Sequence, residues 1–147
     1  MTEEDLKDWI KACEGFRAYP YLDTVGVGKV TIGFGRNIDD NGISVKEAEF
    51  MLDNDIARCK EELAHYDWYN FSPENVQAAL MNMCFNLGLP KLLGFKKMIS
   101  AIENQDYKTA AIEALNSRWA EQVGKRAKDV ALMMREQDAQ AGTNRSH

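Results

Sequence analysis

Residues 13–37 read "CEGFRAYPYLDTVGVGKVTIGFGRN", and in this stretch the chain changes its apolar period. Before it, Leu6, Trp9, Ile10 and Cys13 recur at helical spacing. Thr2 stands where it can cap that helix, and Glu3, Glu4 and Asp5 fall in the first turn, where negative charge suits the helix dipole. The helix is expected to end near Glu14 and Gly15. From Tyr19 to Ile38, Pro20, four glycines (Gly26, Gly28, Gly33, Gly35) and the run Val25, Val27, Val30, Thr31, Ile32, Phe34 predict short strands and turns.

Outward from that sheet the pattern is helical. "DDNG" at 39–42 reads as a turn, and "SVKE" at 44–47 is a capping box, Ser44 with Glu47, opening a long helix to about His65. Its stripe is Ala48, Met51, Leu52, Ile56, Cys59 and Leu63. "FSPEN" at 71–75 predicts a helix start with Ser72 as N-cap and Pro73 at the first helical position. "VQAALMNMCFNLGLP" then runs apolar on nearly all sides to Gly88 and Pro90, as a central core helix would. "FKKMISAIENQ", "DYKTAAIEALNSRWAEQV" and "GKRAKDVALMMREQ" predict three more helices. The expected fold class is α+β, mainly α: a sheet lobe at about 15–43, a linking helix at about 44–65, and a helical lobe at about 66–138 that takes in the N-terminal helix. Residues 1–138 make one domain. Residues 139–147, ending "AGTNRSH", are expected to be a linker with the start of a polyhistidine tag.

A chain of 147 residues can bury a sizeable core. No apolar run approaches the ~18 residues of a membrane span, and "MTEEDLKDWIKAC" lacks the basic start and apolar centre of a signal peptide. Three cysteines with neither a CxxC nor a Cys/His pattern predict reduced thiols in a cytosol. His65 is the only histidine before the last residue, so no metal site is expected. The net charge of −5 hides an asymmetry. Residues 1–65 hold fourteen acids and eight bases, whereas residues 91–135 hold nine bases and five acids. A basic half can attract an anionic polymer, and a solvated helix face of mixed charge explains the feature equally well. Basic stretches interleaved with aromatic residues, as in nucleic-acid modules, are lacking.

"GVGKVT" is neither a P-loop nor GxGxxG: Val30 follows Gly28-Lys29, and Thr31 takes the last glycine position. The chemistry rests instead on Glu14 and Asp23. Glycoside hydrolysis needs a carboxylic acid to protonate the leaving oxygen and a second carboxylate as nucleophile or activator of water. The acid has to be partly desolvated for its pKa to approach working pH, and a helix end against a sheet offers Glu14 such a half-buried place. Spacing alone leaves open that both are surface charges flanking a turn.

The residues around them resemble the phage T4-type lysozymes, the endolysins of glycoside hydrolase family 24. The resemblance lies in "EGFRAYPYLDT" and "TIGFGRN", with eight residues between Glu14 and Asp23. It continues through "ALMNMCFNLG", "GFKKMI", "NSRWAEQ" and "KRAKDV", from about residue 3 to 137. It implies a lysozyme-like fold, with a sheet lobe and a helical lobe joined by a long helix. It also implies an inverting muramidase, with no cofactor, that cuts the β-1,4 bond between N-acetylmuramic acid and N-acetylglucosamine in peptidoglycan. Glu14 then matches the general acid, Asp23 the carboxylate that activates water, and Thr31 the threonine that helps hold that water. Arg126 matches an arginine that pairs with the acid. Gly33, Gly35, Asn37, Phe85 and Asn86 match substrate-binding positions, although Phe85 is expected to pack as core rather than to touch sugar. Gly33 and Gly35 would let a sugar lie directly on strand backbone; the tight sheet is the alternative reason for them. Met98 and Glu113 fall at cleft positions with altered residue types. The implied protein is a monomeric phage endolysin held in the host cytoplasm until a holin-type pore releases it to lyse the wall.

Seven residues separate Asp23 from Thr31 where the family usually has five, and the excess reads as a duplication, Val25-Gly26-Val27-Gly28. An insertion of two preserves the alternation of strand faces, so Thr31 is expected to stay beside Asp23 with the extra residues at a hairpin tip. A spoiled site would leave a wall-binding module of the same fold. A lytic transglycosylase could dispense with the aspartate, so Asp23 favours hydrolysis.

Overall fold

The computed structural model describes residues 1–24 and 28–145. The chain divides into two compact units, Met1–Met51 and Leu52–His147.

The first unit begins with α1 (Glu3–Glu14), whose capping box forms between Thr2 and Asp5. The predicted stripe does not become a buried face, since no residue of α1 is buried. Its last turn meets the sheet instead, where the Lys11 ammonium sits 5.3 Å from the centroid of the Phe34 ring. The sheet is antiparallel, in the order β1 (Arg17–Leu22), β2 (Val30–Gly33), β3 (Arg36–Asn37). Its register pairs Leu22 with Val30, Tyr21 with Thr31, and Arg17 with Gly33, so β1 carries two extra residues between Arg17 and Tyr21. Pro20 lies in that irregular part, where a missing N–H is tolerated. The predicted turn at 39–42 is one helical turn, α2 (Ile38–Asn41), capped by Asn37 and closed by Gly42 at φ +56.

The helix α3 (Val45–Leu63) starts at the capping box read from the sequence, with Ser44 and Glu47 each bonding the other's backbone N–H. Those bonds from Ser44, with the Arg36 guanidinium beside it, hold the Glu47 carboxyl below its usual range. Of the α3 stripe only Cys59 and Leu63 are buried, at the end that belongs to the second unit.

The second unit is helical. α4 (Asp67–Asn70) leads to α5 (Glu74–Leu87), then α6 (Leu89–Leu93), α7 (Lys96–Glu103), α8 (Tyr107–Leu115), α9 (Arg118–Val123) and α10 (Lys125–Arg145). α5 starts one residue later than expected: Pro73 is its N-cap, and the buried Ser72 hydroxyl donates to the Trp68 carbonyl at 2.6 Å. Nor is α5 buried all round. Val76, Ala79, Leu80, Met83 and Cys84 form one buried stripe, while Asn82, Phe85 and Asn86 are exposed. α10 packs on α8 and α5, and α7 on α8. Burial pushes the Cys84 thiol up to about 12, which keeps it protonated in the core.

The single helix expected over residues 106–123 is two. Ser117 breaks it by accepting the Ala120 N–H at 3.1 Å while donating to the Ala114 carbonyl at 2.7 Å, so one hydroxyl closes α8 and caps α9. α7 ends with Gln105 in the left-handed region at φ +57, and the Asp106 N–H returns to the Ala101 carbonyl as in a Schellman cap.

Leu80→Ala should destabilise the chain by about 2–5 kcal/mol, because it empties a fully enclosed site. Ser117→Ala should cost about 1 kcal/mol through loss of the cap. Urea denaturation followed by far-UV circular dichroism checks both.

Candidate active site

The first unit holds Glu14, Asp23, Thr31, Gly33, Gly35 and Asn37. Asp23 follows the end of β1, and its N–H donates to the Lys29 carbonyl at 2.9 Å, which extends the β1–β2 ladder by one bond. Thr31 donates its hydroxyl to the same carbonyl at 3.0 Å. One acceptor therefore ties the two residues together. Register fixes their common face. Tyr21 stands opposite Thr31, Asp23 lies two residues beyond Tyr21, and strand side chains alternate. The Arg17 guanidinium, 4.2 Å from the centroid of the Tyr21 ring, lies on that face as well. The Asp23–Lys29 bond encloses residues 24–28, where the extra residues were expected; Val25, Gly26 and Val27 lie outside the described residues.

The start of β2 is held by two acids of α2. Asp39 accepts the Val30 N–H at 2.7 Å, and Asp40 pairs with Lys29 at 3.2 Å. Thr31 is 3% exposed, the only buried residue among those described in this unit. Asn37, paired with Thr31 across β2–β3, uses its side chain to cap α2: Oδ1 accepts the Asp40 N–H at 3.0 Å and Nδ2 donates to Asp40 Oδ2 at 2.9 Å.

Glu14 is exposed at the end of α1 rather than half-buried. Its carboxylate reaches back to the β2–β3 turn, and a Cβ placed on Gly35 would lie 2.6 Å from Glu14 Oε2. Gly33 and Gly35 both take positive φ, +72 and +77. The tight turn accounts for both glycines, and Gly35 additionally leaves the space that the Glu14 carboxylate occupies.

The second unit holds Phe85, Asn86 and Arg126. Asn82, Phe85 and Asn86 share the exposed face of α5 at spacings of three and four. Asn86 Oδ1 accepts the Trp119 indole N–H at 2.8 Å, and Asn82 Oδ1 accepts Arg126 Nε at 2.7 Å. Asn82 and Trp119 were not singled out from the sequence; two asparagines four apart on an apolar helix are the signal that could have found this face. Trp119 packs edge-on to Phe95 and helps line a groove of about 650 Å³ that also contains Met98, Glu113 and Ser117. Lys91, Lys96, Lys97 and Arg118 line it too, against the one carboxylate of Glu113. Among the described residues no cluster of His, Cys, Asp or Glu could hold a metal ion.

Comparison with known proteins identifies the class. The family model described as phage lysozyme matches residues 11–138, and the chain belongs to that family. Two relatives from Dictyostelium discoideum are "Probable T4-type lysozyme 2", 30% identical, and "Probable T4-type lysozyme 1", 24% identical. Each match covers 85% of this chain and 90% of the relative. The α+β, mainly helical architecture is lysozyme-like, and the function is that of a lysozyme-like glycosidase.

Gly33→Ala and Gly35→Ala should each cost about 1–2 kcal/mol, since both force an L side chain into positive φ. Only Gly35→Ala also displaces the Glu14 carboxylate. If Glu14 is catalytic, wall-clearing activity per folded molecule should fall at least about tenfold in Gly35→Ala and stay within a few-fold of the parent in Gly33→Ala. Thermal melts and turbidity loss on purified walls, measured together, check this.

Proposed function

We propose that the chain hydrolyses the β-1,4 bond between N-acetylmuramic acid and N-acetylglucosamine in bacterial peptidoglycan, with inversion. The observation that carries the reading is the Lys29 carbonyl, which binds both the Asp23 N–H and the Thr31 hydroxyl in a unit where Glu14 reaches back to Gly35. Glu14 donates its proton to the leaving oxygen as the bond to the anomeric carbon breaks. Asp23 removes a proton from the water that attacks the opposite face of the sugar. Thr31 orients that water by offering a hydroxyl lone pair, its proton being held by Lys29. Arg126, with Nε committed to Asn82, keeps its terminal nitrogens able to hold an anion, which suits the carboxylate pairing that the resemblance implies. The basic groove of the second unit, with four cations and one carboxylate, suits an anionic wall despite the negative net charge.

In this reading the protein acts as a monomeric endolysin. It accumulates in the host cytoplasm and reaches the wall through a holin-type pore, the setting that the resemblance to phage endolysins implies. No helix among the described residues is long and apolar enough to cross a membrane. The closed position of Thr31 favours one alternative, a module that binds walls without cutting them.

Glu14→Gln should lower wall clearing by at least about 10²-fold while the protein stays folded and wall-bound, because general acid catalysis is worth roughly 10²–10⁴. Asp23→Asn should abolish new reducing ends. Muropeptide analysis of the wild-type digest should show reducing N-acetylmuramic acid ends. Anhydro ends would assign a transglycosylase, and no release from walls that the protein still binds would assign the binding module.

Replacing both Lys96 and Lys97 by glutamate makes the groove net acidic. Wall association at low ionic strength should weaken roughly tenfold, and its dependence on salt should flatten. Sedimentation with insoluble walls across a salt series measures both.

A further inference from the structure

A second groove of about 480 Å³ opens in the helical unit, between the segment around α4 and the turn that ends α7. Its volume falls in the range of small-ligand sites. It shares no lining residue with the basic groove. Tyr66 and Trp68 line it with ring centroids 5.3 Å apart, and Phe71, 80% exposed, stands beside them. The carboxylates of Asp67 and Glu103 and the amide of Gln105 line it too, together with His65, Ser72, Ile102 and Tyr107. None of the Asp67, Glu103 and Gln105 side chains is hydrogen-bonded or ion-paired to another described residue, although all three are exposed and face one cavity. Gln105 holds a left-handed position that glycine would suit better, which keeps an amide side chain on the groove.

Aromatic rings interleaved with unpaired planar polar groups match the surface of a pyranose. A β-linked hexosamine presents apolar patches of axial C–H bonds to aromatic faces, and it presents equatorial hydroxyl and acetamido groups to carboxylates and amides in its own plane. A metal cation would use the two carboxylates and the Gln105 carbonyl oxygen and leave the aromatic rings unmatched.

We propose that this groove is a second glycan site, which takes one or two N-acetylhexosamine units of a β-1,4-linked strand and is lined by none of the residues assigned to cleavage. Holding the strand there keeps the enzyme on insoluble wall between cuts. The proposal concerns binding alone and does not depend on Glu14 or Asp23 being catalytic.

The test is an NMR titration of the ¹⁵N-labelled full chain with the β-1,4-linked N-acetylglucosamine tetramer, repeated with a tri-lysine peptide. Saturable shifts of backbone amides in 65–72 and 102–107 on adding the tetramer are expected. Phe71→Ala, at a side chain that the core does not need, should weaken that isotherm about fivefold, the size of one aromatic contact. The double variant Asp67→Asn with Glu103→Gln should keep tetramer binding within a few-fold, since amides still bond hydroxyls. Tetramer binding at these amides by a chain that cuts no wall would uphold this site and defeat the proposed hydrolysis. The proposal is overturned if the tetramer leaves these amides unmoved, if Phe71→Ala binds it as well as the parent, or if the peptide alone shifts them and the double variant abolishes that shift.

Discussion

Val76, Ala79, Leu80, Met83 and Cys84 bury one stripe of α5 almost completely, in a core where α10 packs on both α5 and α8. Ala127, Val130, Ala131 and Met134 of α10 belong to the same core, as do Ala110, Ala111 and Ala114 of α8. Small residues on α8 and α10 permit close helix approach, and each large side chain enclosed there adds about 1.5–3 kcal/mol of burial. With that stripe committed, the remaining face of α5 is fixed as well. Asn82, Phe85 and Asn86 stand on it, and the packing of α10 and α9 brings Arg126 to Asn82 and Trp119 to Asn86. The polar arrangement of the second unit is thus a consequence of where its apolar side chains must go.

The first unit is built on another principle. With one buried residue among those described, it has little hydrophobic core of its own, and exposed polar contacts hold its sheet in place. Arg36 bridges Glu47 and the Gly42 carbonyl, Asp39 holds the start of β2, and Lys29 pairs with Asp40. Exposed contacts of this kind contribute little each, because solvent screens them and ordering long side chains costs entropy. Such a unit belongs at the low end of local stability, where sites that must admit a bulky polymer are usually found. The geometry around Asp23 depends on ladder register and on the carbonyl it shares with Thr31, which is the one enclosed residue among those described in this unit.

Charge follows the same division. The acidic excess lies in residues 1–65 and the basic excess in 91–135, and Lys91, Lys96, Lys97 and Arg118 of that basic region come together on one groove. A net charge of −5 therefore says little about what the second unit attracts. A ligand in the groove meets those four cations directly, and charges beyond about 8–10 Å are largely screened at ordinary ionic strength.

Much of this was legible in the sequence because it depends on neighbours along the chain. The Thr2 and Ser44 capping boxes, the strand-and-turn reading of 19–38, the apolar run of α5 and the family motifs around Glu14 and Asp23 all follow from local spacing. Parity predicted Thr31 beside Asp23; the two share the Lys29 carbonyl, while Val25, Gly26 and Val27 lie outside the described residues. What the sequence misjudged depends on partners distant in the chain. Periodicity gave α1 and α3 apolar stripes but could not say that no residue of α1 and only two of α3 would be buried. The nearly all-apolar α5 hid the choice of which face the core would take. Ser117 carried a capping signal inside a helical pattern, and its hydroxyl decided the break by bonding Ala114 and Ala120 together. Glycine at 35 was readable as a turn residue. That it also makes room for the Glu14 carboxylate, 21 residues earlier, was decided by tertiary structure, because only folding brings a helix end and a strand turn within van der Waals reach.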